Sequence, residues 1–137
     1  MKMKQLTVFA ENKKGYLAEI TGLFAEKGVD MKALSIADTK DFGILRIIVD
    51  NPEKALAVLG EQGFLGTITE VIGVEISDKA GELAKALGVL AKADVNVEYL
   101  YAFLSGKTGS ANVVIKATDN GKAESVLLAA GYKGIKA

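Results

Sequence analysis

Two short polar segments bring together residue types able to recognise a small charged molecule. One reads Glu11-Asn12-Lys13-Lys14-Gly15-Tyr16-Leu17 and the other Ser77-Asp78-Lys79-Ala80-Gly81-Glu82-Leu83. In both, a glycine stands just ahead of a stretch with helical spacing. Such a glycine lets backbone approach a ligand closely, and the free N–H groups of a helix's first turn, aided by its dipole, favour a carboxylate or phosphate. Asn12 and Asp78 precede these glycines by three residues, where their oxygens can cap the helix or meet an ammonium group. Further along, Asp30 and Asn96 open extended stretches at matching positions, so each half holds one amide and one carboxylate: Asn12 with Asp30, and Asp78 with Asn96. An α-amino acid needs donors for its carboxylate and an anion for its ammonium, and this inventory supplies both. Capping and turn formation account for the same residues without a ligand.

Whole classes of chemistry are missing from the chain. Its 137 residues include no cysteine and no histidine, which removes disulfides, iron–sulfur ligation, Cys/His zinc sites, thiol nucleophiles and imidazole triads. Neither a metal nor a cofactor is expected. Seventeen Lys and Arg balance 17 Asp and Glu, so no charge surplus is available to hold nucleic acid or an anionic membrane. Half the residues are hydrophobic, as in ordinary globular proteins. No stretch reads as a signal peptide or membrane span, and the expected location is the cytoplasm.

Gly106-Lys107-Thr108 imitates the end of a phosphate-binding loop, but the first glycine of that motif would fall on Tyr101 and a strand follows, so it is expected to be a hairpin tip. The lone arginine, Arg46, falls on a strand rather than in a first loop, which excludes acylphosphatase-like hydrolysis. No carboxylate pair stands out by spacing, and the chain is not expected to be an enzyme.

The elements that must position these loops occur twice. Shifting the chain by 66 positions overlays residues 6–34 on 72–100 with about nine identities in 29, a repeat that sets the organisation of the whole chain. Shared landmarks are Val8 and Val74, Lys13 and Lys79, Gly15 and Gly81, Leu17 and Leu83, Gly22 and Gly88, Val29 and Val95, and Leu34 and Leu100. After the middle hairpin the offset becomes 68, pairing Leu45 with Val113 and Leu59 with Leu127.

Each copy shows the same succession of periods. Leu6, Val8 and Ala10 alternate as on a strand over 4–10, as do Ile72, Val74 and Ile76. Helical stripes follow at Leu17, Ile20 and Phe24, and at Leu83, Ala86, Leu87 and Leu90, with Gly28 ending the first. Strands are predicted over 30–38 and 43–50, then over 96–104 and 111–117, with hairpin loops at 38–41 and 105–109. A second helix starts after Asn51 at Pro52, and its counterpart follows the Asp119-Asn120-Gly121 turn. Short strands over 65–69 and 133–136 close the copies, with a break near Glu70. The order βαββαβ, taken with the crossover rule, gives an α+β fold of two ferredoxin-like units, 1–69 and 70–137. Each has an antiparallel sheet of strand order 4-1-3-2 with helices on one face. Tyr99, Tyr101 and Phe103 then fall on the sheet face opposite Leu100. They lie on an edge strand, unlike the central-strand aromatics of RNA-recognition modules, and packing between sheets is their expected role.

A polar residue, two spacers, glycine, one spacer and leucine between strand and helix, followed about fifteen residues later by Val-Asp or Val-Asn entering a strand, resembles the ACT domain family of small-molecule sensors. The resemblance covers residues 4–137 and suggests a stand-alone tandem ACT protein. Lys14 and Ala80 stand where many members have proline. The resemblance implies amino-acid binding where ACT units pack side by side, with contacts from Asn12, Gly15, Tyr16, Leu17, Asp30 and Met31, and from Asp78, Gly81, Glu82, Leu83, Asn96 and Val97. Backbone amides at 15–17 or 81–83 would take the carboxylate and Asp30 or Asp78 the ammonium, with Asn12 and Asn96 setting orientation. The expected partners are a small amino acid, a second copy in a homodimer and a separate metabolic enzyme or transporter under its control. The alternative is a subunit that docks an enzyme and binds nothing small, similar to small subunits of amino-acid biosynthetic enzymes.

Overall fold

Alternation along the first residues produces β1 (Lys2–Glu11), whose Leu6, Val8 and Ala10 are buried while Phe9 and Glu11 are exposed. The computed structural model describes residues 1–38 and 41–135. α1 (Tyr16–Glu26) follows, burying Tyr16, Ile20 and Phe24. Tyr16, rather than the predicted Leu17, heads the buried stripe because steps of four keep 16, 20 and 24 on one side of the helix. The chain returns through β2 (Met31–Asp38) and β3 (Phe42–Val49), and α2 (Pro52–Glu61) begins where expected, with the Asn51 side chain accepting from the Lys54 N–H at 3.1 Å. β4 (Leu65–Ser77) is a single strand of 13 residues, so the break predicted near Glu70 is absent. Beyond it come α3 (Glu82–Lys92), β5 (Val97–Leu104), β6 (Ser110–Ala117), α4 (Asn120–Ala129) and the two-residue β7 (Lys133–Gly134).

The chain divides into two compact units, Lys4–Thr69 and Met1–Met3 with Glu70–Ala137. In the first, the strands lie in the order β2-β3-β1-β4, the predicted 4-1-3-2. Leu6 is opposite Ile47 and Val8 opposite Leu45, and these inward residues pack with Phe24, Ala55 and Leu59. In the second, β5, β6 and the latter part of β4 repeat the pattern, with Leu100 opposite Ile115 and Ile72 opposite Ile115, and β7 pairs β4. Its core joins Ile72, Val74, Leu90, Val113, Ile115 and Leu127. In each unit one sheet face is covered by both helices, which is what the periodicity requires. Both outer strands carry a register irregularity at matching places, between Met31 and Ala33 and between Val97 and Tyr99.

Several local expectations change. Leu83 is 36% exposed, and the α3 stripe rests on Ala86 and Leu90. Asn120 and Gly121 belong to the first turn of α4 instead of a preceding turn, because the Asp119 side chain accepts from the Lys122 N–H at 3.0 Å and caps the helix there. Residues 39–40 of the first hairpin and 136 of the last strand lie outside the described residues.

The repeat also exposes a backbone asymmetry. Gly28 closes α1 with φ of 71°, a left-handed conformation that suits glycine, but its counterpart is Asp94, which holds φ of 61° with a side chain attached. Asp94→Gly is expected to raise stability by about 0.5–1 kcal/mol and Gly28→Asp to lower it by about 1–2 kcal/mol, both read from urea midpoints. A loss of stability in Asp94→Gly overturns this assignment of strain.

Candidate functional site

Each polar loop is fixed by the hairpin beside it. The Asn12 N–H donates to the Asp41 carbonyl and, at the matching place, the Asp78 N–H to the Gly109 carbonyl, both at 3.0 Å. Gly15 and Gly81 then stand at the helix starts with φ of 88° and 86°, and no side chain caps either helix. The capping role open to Asn12 and Asp78 is therefore unfilled. The Tyr16 N–H is taken by the Lys13 carbonyl and the Glu82 N–H by the Lys79 carbonyl, each at 3.3 Å. The next N–H groups, of Leu17 and Leu83, are first-turn donors with no intrahelical acceptor, left for water or an anion.

Asp30 and Asn96 lie one residue before their strands and tie off the other end of the hairpin. The Asp30 N–H donates to Asp50 Oδ1 and its carbonyl accepts from the Asp50 N–H, both at 3.0 Å. The Asn96 carbonyl accepts from the Thr118 N–H at 3.0 Å, and its Nδ2 donates to Thr118 Oγ1 at 3.1 Å. The loop thus sits where β3 begins and Asp30 where β3 ends. At about 3.4 Å per residue, that strand separates them by roughly 25 Å. Asn12 and Asp30, and likewise Asp78 and Asn96, therefore lie at opposite ends of their own unit's sheet.

Among the other site residues, Gly15, Asp78, Gly81, Asn12, Asp30 and Asn96 are exposed, while Leu17, Met31, Glu82 and Val97 are half-buried. Tyr16 is only 8% exposed and belongs to the core. Lys32 Nζ reaches Asp30 Oδ2 at 2.6 Å, and this contact raises the lysine's pKa above its ordinary value. Asp78 has no ion-pair partner within 4 Å among the described residues. The anchors Asp41, Asp50, Gly109 and Thr118 escaped the sequence reading. The second offset could have found them, since it pairs Asp41 with Gly109 and Asp50 with Thr118.

The remaining residues of interest fall largely as their alternation requires. Tyr99, Tyr101 and Phe103 stand opposite Lys116, Val114 and Asn112, on the sheet face away from the helices, and are half-buried. Arg46 lies across from Thr7 and Ser35 on the corresponding face of the first unit. The Gly106-Lys107-Thr108 segment is a hairpin tip, and Lys107 Nζ donates to Glu75 Oε1 at 3.1 Å.

A family model described as an ACT domain pair matches residues 1–135. Protein BT0572 from Bacteroides thetaiotaomicron is similar in structure with a TM-score of 0.92 and 40% identity, covering 98% of this chain and 92% of its own. The regulatory subunit of aspartate kinase from Thermus thermophilus, in its ligand-free form, shares the fold at a TM-score of 0.68 and 18% identity, over 93% of this chain and 92% of that one. The acetolactate synthase small subunit of Buchnera aphidicola is 30% identical over 82 residues, 58% of this chain. The match spans 50% of that relative's length.

One electrostatic contact gives a direct check. The Lys107 ammonium and the Ser110 hydroxyl, both bonded to Glu75, hold its carboxyl below the ordinary 4.5. A carboxyl depressed in the folded state adds stability above its ordinary range and loses that contribution as pH falls through the lowered value. Lys107→Gln is expected to move the Glu75 titration upward toward 4.5 in a carboxyl-carbon NMR titration. An unmoved midpoint means the contact does not persist in solution.

Proposed function

The chain belongs to the ACT domain family as a domain pair, and on that premise we propose that it is a regulatory protein that binds an amino acid between ACT units and is not itself an enzyme. The observation that carries this reading is the repeated loop: two helix starts, each with an open first-turn N–H and each pinned to its hairpin by the same backbone bond. The amides near Gly15–Leu17 or Gly81–Leu83 take the ligand carboxylate. Asp78 is the stronger candidate for the ammonium, since the Asp30 carboxylate is already held by Lys32.

The separation of loop and strand start within a unit supports a site completed by a second chain. Antiparallel pairing of β2 or β5 with an outer strand of a second chain puts the start of one strand beside the end of the other. Asp30 or Asn96 of that second chain then faces a loop that its own unit keeps far away. Ligand binding is thereby coupled to assembly, and the protein works as a homodimer that controls a separate enzyme. The likeness to an acetolactate synthase small subunit supports a second reading, a subunit that docks an enzyme through its exposed sheet face without a small ligand. No helix among the described residues is long and apolar enough to cross a membrane.

A thermal-shift screen of the twenty amino acids and several 2-oxo acids separates the two readings. A ligand specific to the folded state at 100 times its Kd adds about 2.7 kcal/mol, a rise of several degrees. The expected result is such a rise for one chemical class, lost in the Asp30→Ala/Asp78→Ala double variant. An equal rise in the variant overturns the site, and no rise with any compound favours the docking subunit.

A further inference from the structure

The second unit contains a cleft of about 550 Å³ between α3, the β5–β6 hairpin and the turn from α4 into β7. It meets the polar loop only at Ser77 and Glu82; Asp78, Gly81 and Leu83 are outside its lining. Three lysines, Lys85, Lys107 and Lys133, line it together. Lys107 is paired with Glu75, while neither Lys85 nor Lys133 has a carboxylate within 4 Å among the described residues. Two carboxylates, Glu75 and Glu82, share the lining, so three ammonium groups face two acids and the cleft keeps a positive surplus that an anion can complete.

The first unit is an internal control. At the offsets of the repeat, Lys85 corresponds to Glu19, Lys133 to Leu65, Tyr132 to Phe64 and Glu82 to Tyr16. The matching groove there is smaller, about 310 Å³, and its charged lining is Glu19 and Glu26. Tyr16 and Glu82 also differ in what they occupy. The Tyr16 ring lies over Gly43, where an added Cβ would meet the hydroxyl at 2.8 Å, so an aromatic fills space that Glu82 leaves open in the second unit. The charged lining of one groove is wholly acidic, while lysines outnumber carboxylates in the larger one.

Tyr132 adds an independent sign. Its hydroxyl is buried and has no hydrogen-bond partner, the one such side-chain atom among the described residues. Phe64 shows that packing at this position does not need the oxygen. An unsatisfied buried hydroxyl is costly, and a small shift of the ring that brings it to a guest in the cleft removes the penalty.

We propose that this cleft binds a small organic anion carrying more than one negative charge, a dicarboxylate or a phosphate ester, held by Lys85 and Lys133 with the Tyr132 hydroxyl as a further partner. The site is separate from the one proposed at the loops and exists in the second unit alone. Binding there stabilises the α4–β7 turn against α3, giving the protein an input distinct from its amino acid.

The full chain is titrated with succinate and with inorganic phosphate at constant ionic strength while backbone amide shifts are followed by NMR. The expected result is saturable shifts confined to the cleft, stronger for succinate if the ligand is a dicarboxylate and for phosphate if it is a phosphate ester. Lys85→Gln/Lys133→Gln weakens binding by about tenfold or more, and Tyr132→Phe, for which Phe64 is a folded precedent, weakens it severalfold. The Asp30→Ala/Asp78→Ala variant binds the anion as the unaltered chain does. The proposal is overturned if no saturable shift occurs up to about 10 mM of either probe. It is overturned equally if the lysine variant binds unchanged, or if the aspartate variant loses anion binding while remaining folded.

Discussion

Leu6 lies opposite Ile47 and Val8 opposite Leu45, and the place of the first polar loop follows from that register. All four side chains are fully buried. A slip of one residue would turn Leu45 and Ile47 to the sheet's other face and forfeit about 1.5–3 kcal/mol for each. The register is therefore held by the core, and it sets Asp41 beside Asn12 at one end of β3, while the pairing of β2 with β3 sets Asp50 beside Asp30 at the other. The polar loops are thus located by apolar side chains distant from them. The same logic runs through Val74 and Val113 in the second unit.

The order of elements was legible in the sequence because both periodicities appear twice, and a pattern seen in two copies is hard to mistake. Asn51 with Pro52 announced α2, and Gly28 announced the end of α1. Other features were hidden for physical reasons. Gln5 and Thr7 alternate with core residues and read as outward and polar, yet both are buried, with Gln5 Nε2 donating to Thr7 Oγ1 and Thr7 Oγ1 bonded to Thr69 Oγ1. Their satisfaction depends on a partner 62 residues away, which no local pattern reveals. The polar residues of the loops and strand starts were visible one by one, but their separation in space was not. Asn12 and Asp30 look complementary as chemical types, and only the direction of β3 shows that a full strand length keeps them apart.

Duplication gives each position a counterpart with the same backbone and a different side chain. Where the counterparts agree, as at Gly15 and Gly81, the backbone demands the residue: both glycines sit at positive φ with open space where a Cβ would go. Where they disagree, packing or electrostatics has been reassigned. Tyr16 is buried in the first core, while its counterpart Glu82 is a half-buried charge that lines a cleft. Two copies of one fold have in this way acquired different surfaces without altering their strand order.

The irregularities near the starts of β2 and β5 bear on colloidal behaviour. An outer strand displays unpaired backbone donors and acceptors, and β2 adds Leu34 and Ile36, each 42% exposed. Such a strand invites indefinite stacking of further chains. A bulge bends the strand and interrupts the regular spacing of its hydrogen-bonding groups, so an incoming strand finds a short straight stretch instead of a full-length template. With one register irregularity in each outer strand, neither offers a full-length regular template to an incoming strand.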